Sequence, residues 1–445
     1  MHSLSSAPAV LRAAVLAALL PGAGLAAAPG GKKVLHSFRK QQLTDQFWSE
    51  GASFGDLNKD GRMDVVSGPF WYAGPDFRER REFAPATRVS KSQRDGKPVE
   101  FPGFKGFLGN ENDYSDNFFS FTHDFNGDGW TDILVLGFPG AESWWYENPK
   151  GAPGHWKRHL ALDVTDNESP TFTDLTGDGK PEIVCSSKGR YGWAQPDPKH
   201  PTAPWAWHSL SPDKKYHKFT HGLGVGDVNG DGRKDLLEKD GWWEQPASLA
   251  GDPEWRFHPQ PIGTGGAQMY AYDVNGDGLN DLISSLAAHG FGLAWYEQYR
   301  EGGEIKFKEH IFVNKEAREN RYGVKFSQIH ALDLVDMDGD GLKDLVTGKR
   351  FWAHGPTGDP EPNSPAVLYW FQLKRDRKAG TVDWVPHRVD DASGTGVEVK
   401  AVDYNKDGKP DILVGNKRGV FVFTHEDRKV GAAEWEAAQP KPGQP

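Results

Sequence analysis

Apolar residues in this chain come in short runs separated by polar turn formers. Runs such as 133–136 and 223–225 are three or four residues long and are bounded by Gly, Asp and Pro. That is too short for a buried helix and suits a strand. Elsewhere the runs turn aromatic: Trp144-Trp-Tyr-Glu147, Trp242-Trp-Glu244, Ala294-Trp-Tyr-Glu297 and Leu368-Tyr-Trp-Phe371. A further set ends in histidine: Trp156-x-x-His159, Trp205-x-x-His208, Trp255-x-x-His258, Phe307-x-x-His310 and Trp384-x-x-His387. β-branched and aromatic residues between turn signals predict an all-β chain of many short strands.

A nine-residue acidic segment interrupts this pattern seven times, at intervals of 46 to 68 residues. Its oxygen-bearing positions 1, 3, 5 and 9 are Asp56, Asn58, Asp60 and Asp64 in the first copy, then Asp124, Asn126, Asp128 and Asp132. The third and fourth copies supply Asp174, Thr176, Asp178 and Glu182, and Asp227, Asn229, Asp231 and Asp235. The remaining three supply Asp273, Asn275, Asp277 and Asp281; Asp336, Asp338, Asp340 and Asp344; and Asp403, Asn405, Asp407 and Asp411. Hard oxygen donors at this spacing wrap one calcium ion, and the glycine at position 6 allows the sharp turn. A helix-flanked calcium loop is excluded, because the last donor comes at position 9 and β-rich sequence follows. A solvated turn without metal is the other reading, best suited to the third copy. Four strands per repeat and seven repeats predict a seven-bladed β-propeller over 33–430. The last unit lacks a fourth strand, and Lys33-Val-Leu-His36 fits the place, closing the ring and removing an open edge. The acidic segments resemble the FG-GAP/VCBS repeats of integrin-α-like propellers, which implies structural calcium, up to seven ions.

Composition refines the picture. Hydrophobic residues make up only 37%, yet 12% aromatics argue against disorder. Cys185 is the single cysteine, which excludes a disulfide scaffold and predicts a buried thiol. Arg12 precedes apolar residues 13–20, then Pro21 and an Ala-rich zone near Ala26. That predicts a signal peptide over 1–27, rather than a core helix, and a secreted or periplasmic protein. No second run approaches the roughly 18 residues of a membrane span. The Pro-rich end, 431–445, is expected to be disordered. Net charge is -10, but the seven segments hold 22 of the 62 acidic residues. Filling them with calcium would bring the chain after the signal to about +3, so the acidity is ligand charge rather than a binding surface.

In a propeller the first strand of each blade lines the channel. Six residues before each acidic segment stand Glu50, Phe118, Glu168, His221, Ala267, His330 and Val397, with Gln268 and Glu398 one place further on. The loops between second and third strands reach the same end. They carry Lys188, Arg190, Tyr191, Lys239, His289, Lys349, Arg350, Phe351, Trp352, His354, Lys417 and Arg418. One face is thus expected to gather histidines, aromatic residues and a basic rim. His221, His289 and His330 come from three neighbouring units. They suit an open zinc site with a fourth position for water or substrate. Hydrogen-bonded channel histidines without metal would explain the spacing equally. His36, His159, His208, His258, His310 and His387 recur on outer strands and are expected to be structural. The tryptophan-rich third strands read as core rather than as a sugar platform.

A closer resemblance lies in Ser284-Ser-Leu-Ala-Ala-His-Gly-Phe-Gly-Leu-Ala-Trp-Tyr-Glu-Gln298, Phe326-Ser-Gln-Ile-His330, Gly348-Lys-Arg-Phe-Trp-Ala-His354 and Val367-Leu-Tyr-Trp-Phe371. These resemble the propeller domain of the aldos-2-ulose dehydratases. The resemblance implies a catalytic zinc in the propeller cleft, favours His221, His289 and His330 as its ligands, and implies oxidised sugars such as 1,5-anhydrofructose or glucosone as substrates. Up to Pro445 no sequence corresponds to the family's cupin and lectin-like domains, so elimination by the propeller alone is expected.

Loss of water from a keto-sugar needs a base for the proton α to the carbonyl and electrophilic help for its oxygen. His354, Glu168 and Glu50 are candidate bases, and Lys349 and Arg350 candidate anion holders. No G-x-S-x-G segment or phosphate-cradling glycine loop points to other chemistry. The expected function is an exported zinc-dependent hydro-lyase acting on 1,5-anhydrofructose or a 3-keto-glycoside. A non-catalytic propeller that binds glycan or protein is the alternative, and a polysaccharide lyase, suited to a basic rim, is the second. A small sugar or glycan is the expected partner, and nucleic acid is not.

Overall fold

A computed structural model describes residues 33–86, 89–94, 97–102 and 114–443, so the expected signal segment lies outside the described residues. Among them are many strands, one 3₁₀ turn and one α-helix. The strands pair as four-stranded antiparallel meanders in a β-propeller-like arrangement. Each acidic segment joins the first strand of a meander to the second: Ser53–Gly55 to Asp64–Ser67, for example, and Leu332–Val335 to Asp344–Gly348. Two features break the regular count. The 17-residue strand Lys157–Thr173 ends one meander and begins the next, and Leu223–Gly226 pairs in parallel with Gln268–Tyr272. A hairpin not anticipated from the pattern, Val89–Arg94 with Lys97–Pro102, follows the first meander.

The N-terminal strand Lys33–Thr44 pairs with Gly419–Val430, Lys33 facing Val430 and Thr44 facing Val420. First strands contact one another across meanders. Gln268 lies at the centre of this contact, donating from Nε2 to Val397 O at 3.1 Å and accepting from Leu332 N at 2.8 Å.

In the inner strands adjacent residues are buried against different neighbours. Trp243 packs with Val184, Trp193 and Leu223, while Trp242 packs with Leu282, Ala294 and Tyr296. The tryptophans of the third strands are core, as expected, except Trp144, which is half-buried under Arg158. The outer histidines stack on them: His159 on Trp145, His258 on Trp242 and His310 on Trp295. Each is held from the other side by the glutamate of the same aromatic strand, Glu147, Glu244 or Glu297, at 2.7–2.9 Å. Cys185 is fully buried, and burial drives its thiol pKa up.

The acidic segments close on themselves through backbone amides. Asp124 accepts the N–H groups of Gly127, Asp128 and Gly129, and Asn126 that of Asp128. The ninth carboxylate behaves differently. Asp132 is wholly buried, accepts Phe125 N at 3.0 Å and, with its other oxygen, Asn148 N at 2.8 Å, tying the loop to the third strand. Asp64, Asp235, Asp281, Asp344 and Asp411 repeat this arrangement. In the third segment Glu182 likewise accepts Leu175 N, but its other oxygen accepts the Thr176 hydroxyl rather than a third-strand amide. The carboxylates of Asp174, Asp178 and Glu182 converge, as do those of Asp336, Asp338 and Asp340.

The end of the chain departs from expectation. Within 431–445, Ala432–Ala438 is helical rather than disordered. It docks because Trp435 takes the Lys33 ammonium 5.0 Å over its ring and Glu434 meets Arg428 at 2.7 Å, while Gly443 N donates to Arg321 O.

Candidate metal centre

Four side chains meet at the end of the first strands opposite the acidic loops. His221 and His330 stand just before the first strands Leu223–Gly226 and Leu332–Val335. Glu168 sits where Lys157–Thr173 slips register, between Asp166 and Thr171, and Asn167 there has φ 82°. His289 comes from the loop between Asp281–Ser285 and Leu293–Glu301. Backbone bonds lace these pieces together: Glu168 N to Thr220 O, Gln328 N to Gly290 O and Arg350 N to Gln328 O, each 2.8–2.9 Å. Gln328 itself holds φ 61° and accepts Ala353 N at Oε1, a strained non-glycine residue of the kind that gathers at functional sites.

The donor atoms of Glu168, His221, His289 and His330 all lie within 4.8 Å of one another. His221 Nε2 is 3.3 Å from Glu168 Oε2. The His289 and His330 ring centres are 4.5 Å apart, and those of His221 and His289 4.9 Å. His330 is 1% exposed, and neither of its ring nitrogens has a hydrogen-bond partner. Burial, then the nearby Arg350 charge, holds its pKa well below the usual histidine value, so the ring is neutral. Burial likewise lowers His289. For Glu168 burial acts upward, but the His221 contact and Arg350 outweigh it, and the carboxyl stays below its ordinary value. Buried polar atoms normally find partners. Three imidazoles, those of His289 and His330 held neutral, beside the Glu168 carboxylate form the donor set of a divalent transition-metal site, and the residues fit such an ion.

The other expected site residues divide. His354 lies beside the cluster, its ring stacked on His289 at 4.2 Å. Glu50 and Arg350 are spent on each other. Arg350 Nη2 is 3.0 Å from Glu50 Oε2 and Nη1 is 3.7 Å from Glu168, with Arg350 and Glu50 almost wholly buried. Lys349 is also fully buried, donates to Ser327 Oγ at 3.0 Å, and is pushed down to about 8 by burial. These three hold the scaffold rather than an open surface. The expected basic rim is likewise compensated. Lys239 pairs with Asp240 and Lys188 with Asp163, while Lys417 is buried and donates to Trp352 O. Phe351 and Trp352 stack on each other and line a cleft with Lys40, Gln42 and Phe421, beside the N-terminal strand.

Two residues escaped sequence reasoning. Asp359 sits 2.9 Å from His354 Nδ1 and 3.3 Å from His289 Nδ1. The only signal was a carboxylate five residues after His354 in a loop whose path has no repeat to count from. Tyr114 packs on Phe118 and Phe138 and edge-on to His354, with the Arg350 guanidinium 5.8 Å from its ring. Phe219 extends this aromatic wall, and Lys218 lies 4.8 Å over its ring.

Residues 124–185 and 174–238 match the model of an FG-GAP-like repeat, and these stretches hold the second to fourth acidic segments. No curated protein matches the chain. Among solved structures, an Agrocybe aegerita lectin, described as recognising non-reducing terminal N-acetylglucosamine, is 15% identical over 89% of this chain and 86% of its own, with TM-score 0.39. BBS1N, solved in complex with ARL6DN, is 11% identical over 89% and 97%, TM-score 0.44. The Bacillus licheniformis rhamnogalacturonan lyase PL11 is 12% identical over 90% and 74%, TM-score 0.38. At these scores none of the three bears on function.

Proposed function

We propose that this chain of FG-GAP-like repeats is an exported, zinc-dependent lyase that removes water from oxidised sugars such as 1,5-anhydrofructose, glucosone or a 3-keto-glycoside. The observation that carries the reading is the convergence of Glu168, His221, His289 and His330, with both nitrogens of buried His330 unpartnered. His221, His289 and His330 would hold the ion, leaving a fourth position for the substrate, with the Glu168 carboxylate beside them, 3.3 Å from His221. Zinc bound there would polarise the sugar's keto oxygen and offset the negative charge that develops on it.

The chain's own groups supply the rest. Asp359 holds His354 through Nδ1, which leaves Nε2 as the nitrogen to take the proton α to the carbonyl. The β-hydroxyl departs with that proton as water, and a conjugated enone remains. Tyr114, Phe118, Phe138 and Phe219 make a wall that limits competing water. Glu50, buried against Arg350, keeps that guanidinium beside Glu168.

The same reading includes a seven-bladed ring over 33–430, closed by the N-terminal strand, with calcium in the acidic loops. Bonds between the residues that lead into neighbouring first strands, including Val397 N to Glu50 O at 2.8 Å, support the ring. Metal analysis of purified protein, counting zinc apart from calcium, followed by incubation with the three sugar classes, tests the function through the ultraviolet absorbance of the enone. His221→Ala is expected to lose zinc and to lower the rate by orders of magnitude, with calcium unchanged. Cleavage of a uronate polymer instead would favour the polysaccharide lyase. Binding of a glycan or protein with no enone from zinc-loaded protein would favour the non-catalytic module.

A further inference from the structure

We infer that Asp359 is the positioning residue of the metal centre, a single carboxylate that orients His289 toward the ion and sets His354 beside it as a non-ligand. The inference rests on the metal reading above. Asp359 Oδ1 lies 3.3 Å from His289 Nδ1 and 2.9 Å from His354 Nδ1. Its other oxygen accepts the His354 backbone N–H at 2.9 Å. The carboxylate is only 5% exposed. It hydrogen-bonds the His354 ring and stands against Nδ1 of His289 at the longer distance, so one carboxylate faces both rings. His289 also offers a ring nitrogen to the cluster with Glu168, His221 and His330. A carboxylate behind a ligating imidazole fixes its tautomer and rotation and makes it a better donor.

The loop that delivers Asp359 is shaped for this contact. A Cβ at Gly358 would lie 2.2 Å from His354 O, so the turn back from Asp359 to His354 closes only over a glycine. Lys325 meets Glu361 at 2.6 Å, and Ser327 donates to Pro360 O at 2.7 Å, pinning the residues that follow to the segment carrying His330. Asp359 is thus held from the His330 side while it holds His289.

The competing reading is a second ion bound by His289, His354 and Asp359, whose donor atoms also lie close together. The hydrogen bond between His354 Nδ1 and Asp359 accounts for that convergence without an ion, and the two rings stack on each other at 4.2 Å.

The test is zinc affinity, measured by competition with a chromophoric chelator on the full chain loaded with calcium. Asp359→Ala is expected to weaken zinc binding about 10–100-fold. The isosteric Asp359→Asn, which keeps the loop's shape and removes the charge, is expected to weaken it as well, without a fall in melting temperature. His354→Ala is expected to leave affinity within about twofold, since the ring is not a ligand. Parent affinity in Asp359→Asn would overturn the inference, as would a loss in His354→Ala equal to that in Asp359→Ala. More than one zinc per parent chain, with the excess lost in His354→Ala, would establish the second ion instead. A parent protein that binds no zinc refutes the metal reading itself, an outcome separate from any behaviour of the Asp359 variants.

Discussion

Arg350 shows how much a single residue's role depends on its surroundings. It is 1% exposed, and Glu50 and Glu168 are its counter-charges. Burial works against the guanidinium, but the two carboxylates outweigh it and raise its pKa further. A buried charge whose partner is removed is left uncompensated, typically at about 3–5 kcal/mol. Arg350→Met is therefore expected to destabilise by about that amount, while Glu50→Leu combined with Arg350→Met costs clearly less than the two single changes together. Urea unfolding of the four proteins reads the coupling. Strictly additive costs would mean that the pair carries no interaction.

Among the elements, the acidic loop has the sharpest energetics. Burial raises the ninth carboxyl of the metal-free loop to about 6 in Asp64, Asp281 and Asp411, about 7 in Asp132 and Asp235, and about 8 in Asp344. An acid raised in the fold binds protons there that the unfolded chain has already lost, so stability falls as pH rises through these values. A bound dication reverses the local preference. Protein stripped of calcium is thus expected to melt lower than loaded protein, and lower at pH 8 than at pH 5.5, with added calcium removing most of that difference. Identical melting curves for stripped and loaded protein, once removal of calcium is verified, would refute a stabilising ion in these loops.

At the scale of the molecule, the sheet joining the two ends of the chain matters most. Gly419–Val430 has Asp411–Asn416 on one side and Lys33–Thr44 on the other. Without Lys33–Thr44 its outer edge would present unpaired N–H and C=O groups to other chains. A truncation lacking residues up to 44 is expected to self-associate on size exclusion and to melt earlier than the chain starting at Lys33. A truncated protein that stays monomeric with an unchanged melting temperature would show that the strand is dispensable.

Much of this organisation was legible in order along the chain. Strand alternation and the turn at each Asp-Gly act over fewer than ten residues, and repetition made each one checkable against the others. It also showed which strand the last repeat lacks, which Lys33-Val-Leu-His36 matches although its partner strand lies at the other end of the chain. His221 and His330 could be placed because each stands a fixed six residues before a loop, and a regular strand carries that spacing into space. His289 was reachable only because its loop is short. What the tertiary structure alone decided lies in the long irregular segments and in pairing. Asp359 reaches His289 through a loop with no repeat to count from, and Tyr114 arrives from a non-repeating insertion. Glu168 was placed by the same count as the histidines, and only its closeness to His221 came from the fold. Whether Arg350, Lys349 and Lys188 present charge or bury it depends on which carboxylates the other meanders bring. Electrostatic partnership is a property of distance in space, and spacing along a chain specifies it only where the backbone between is regular.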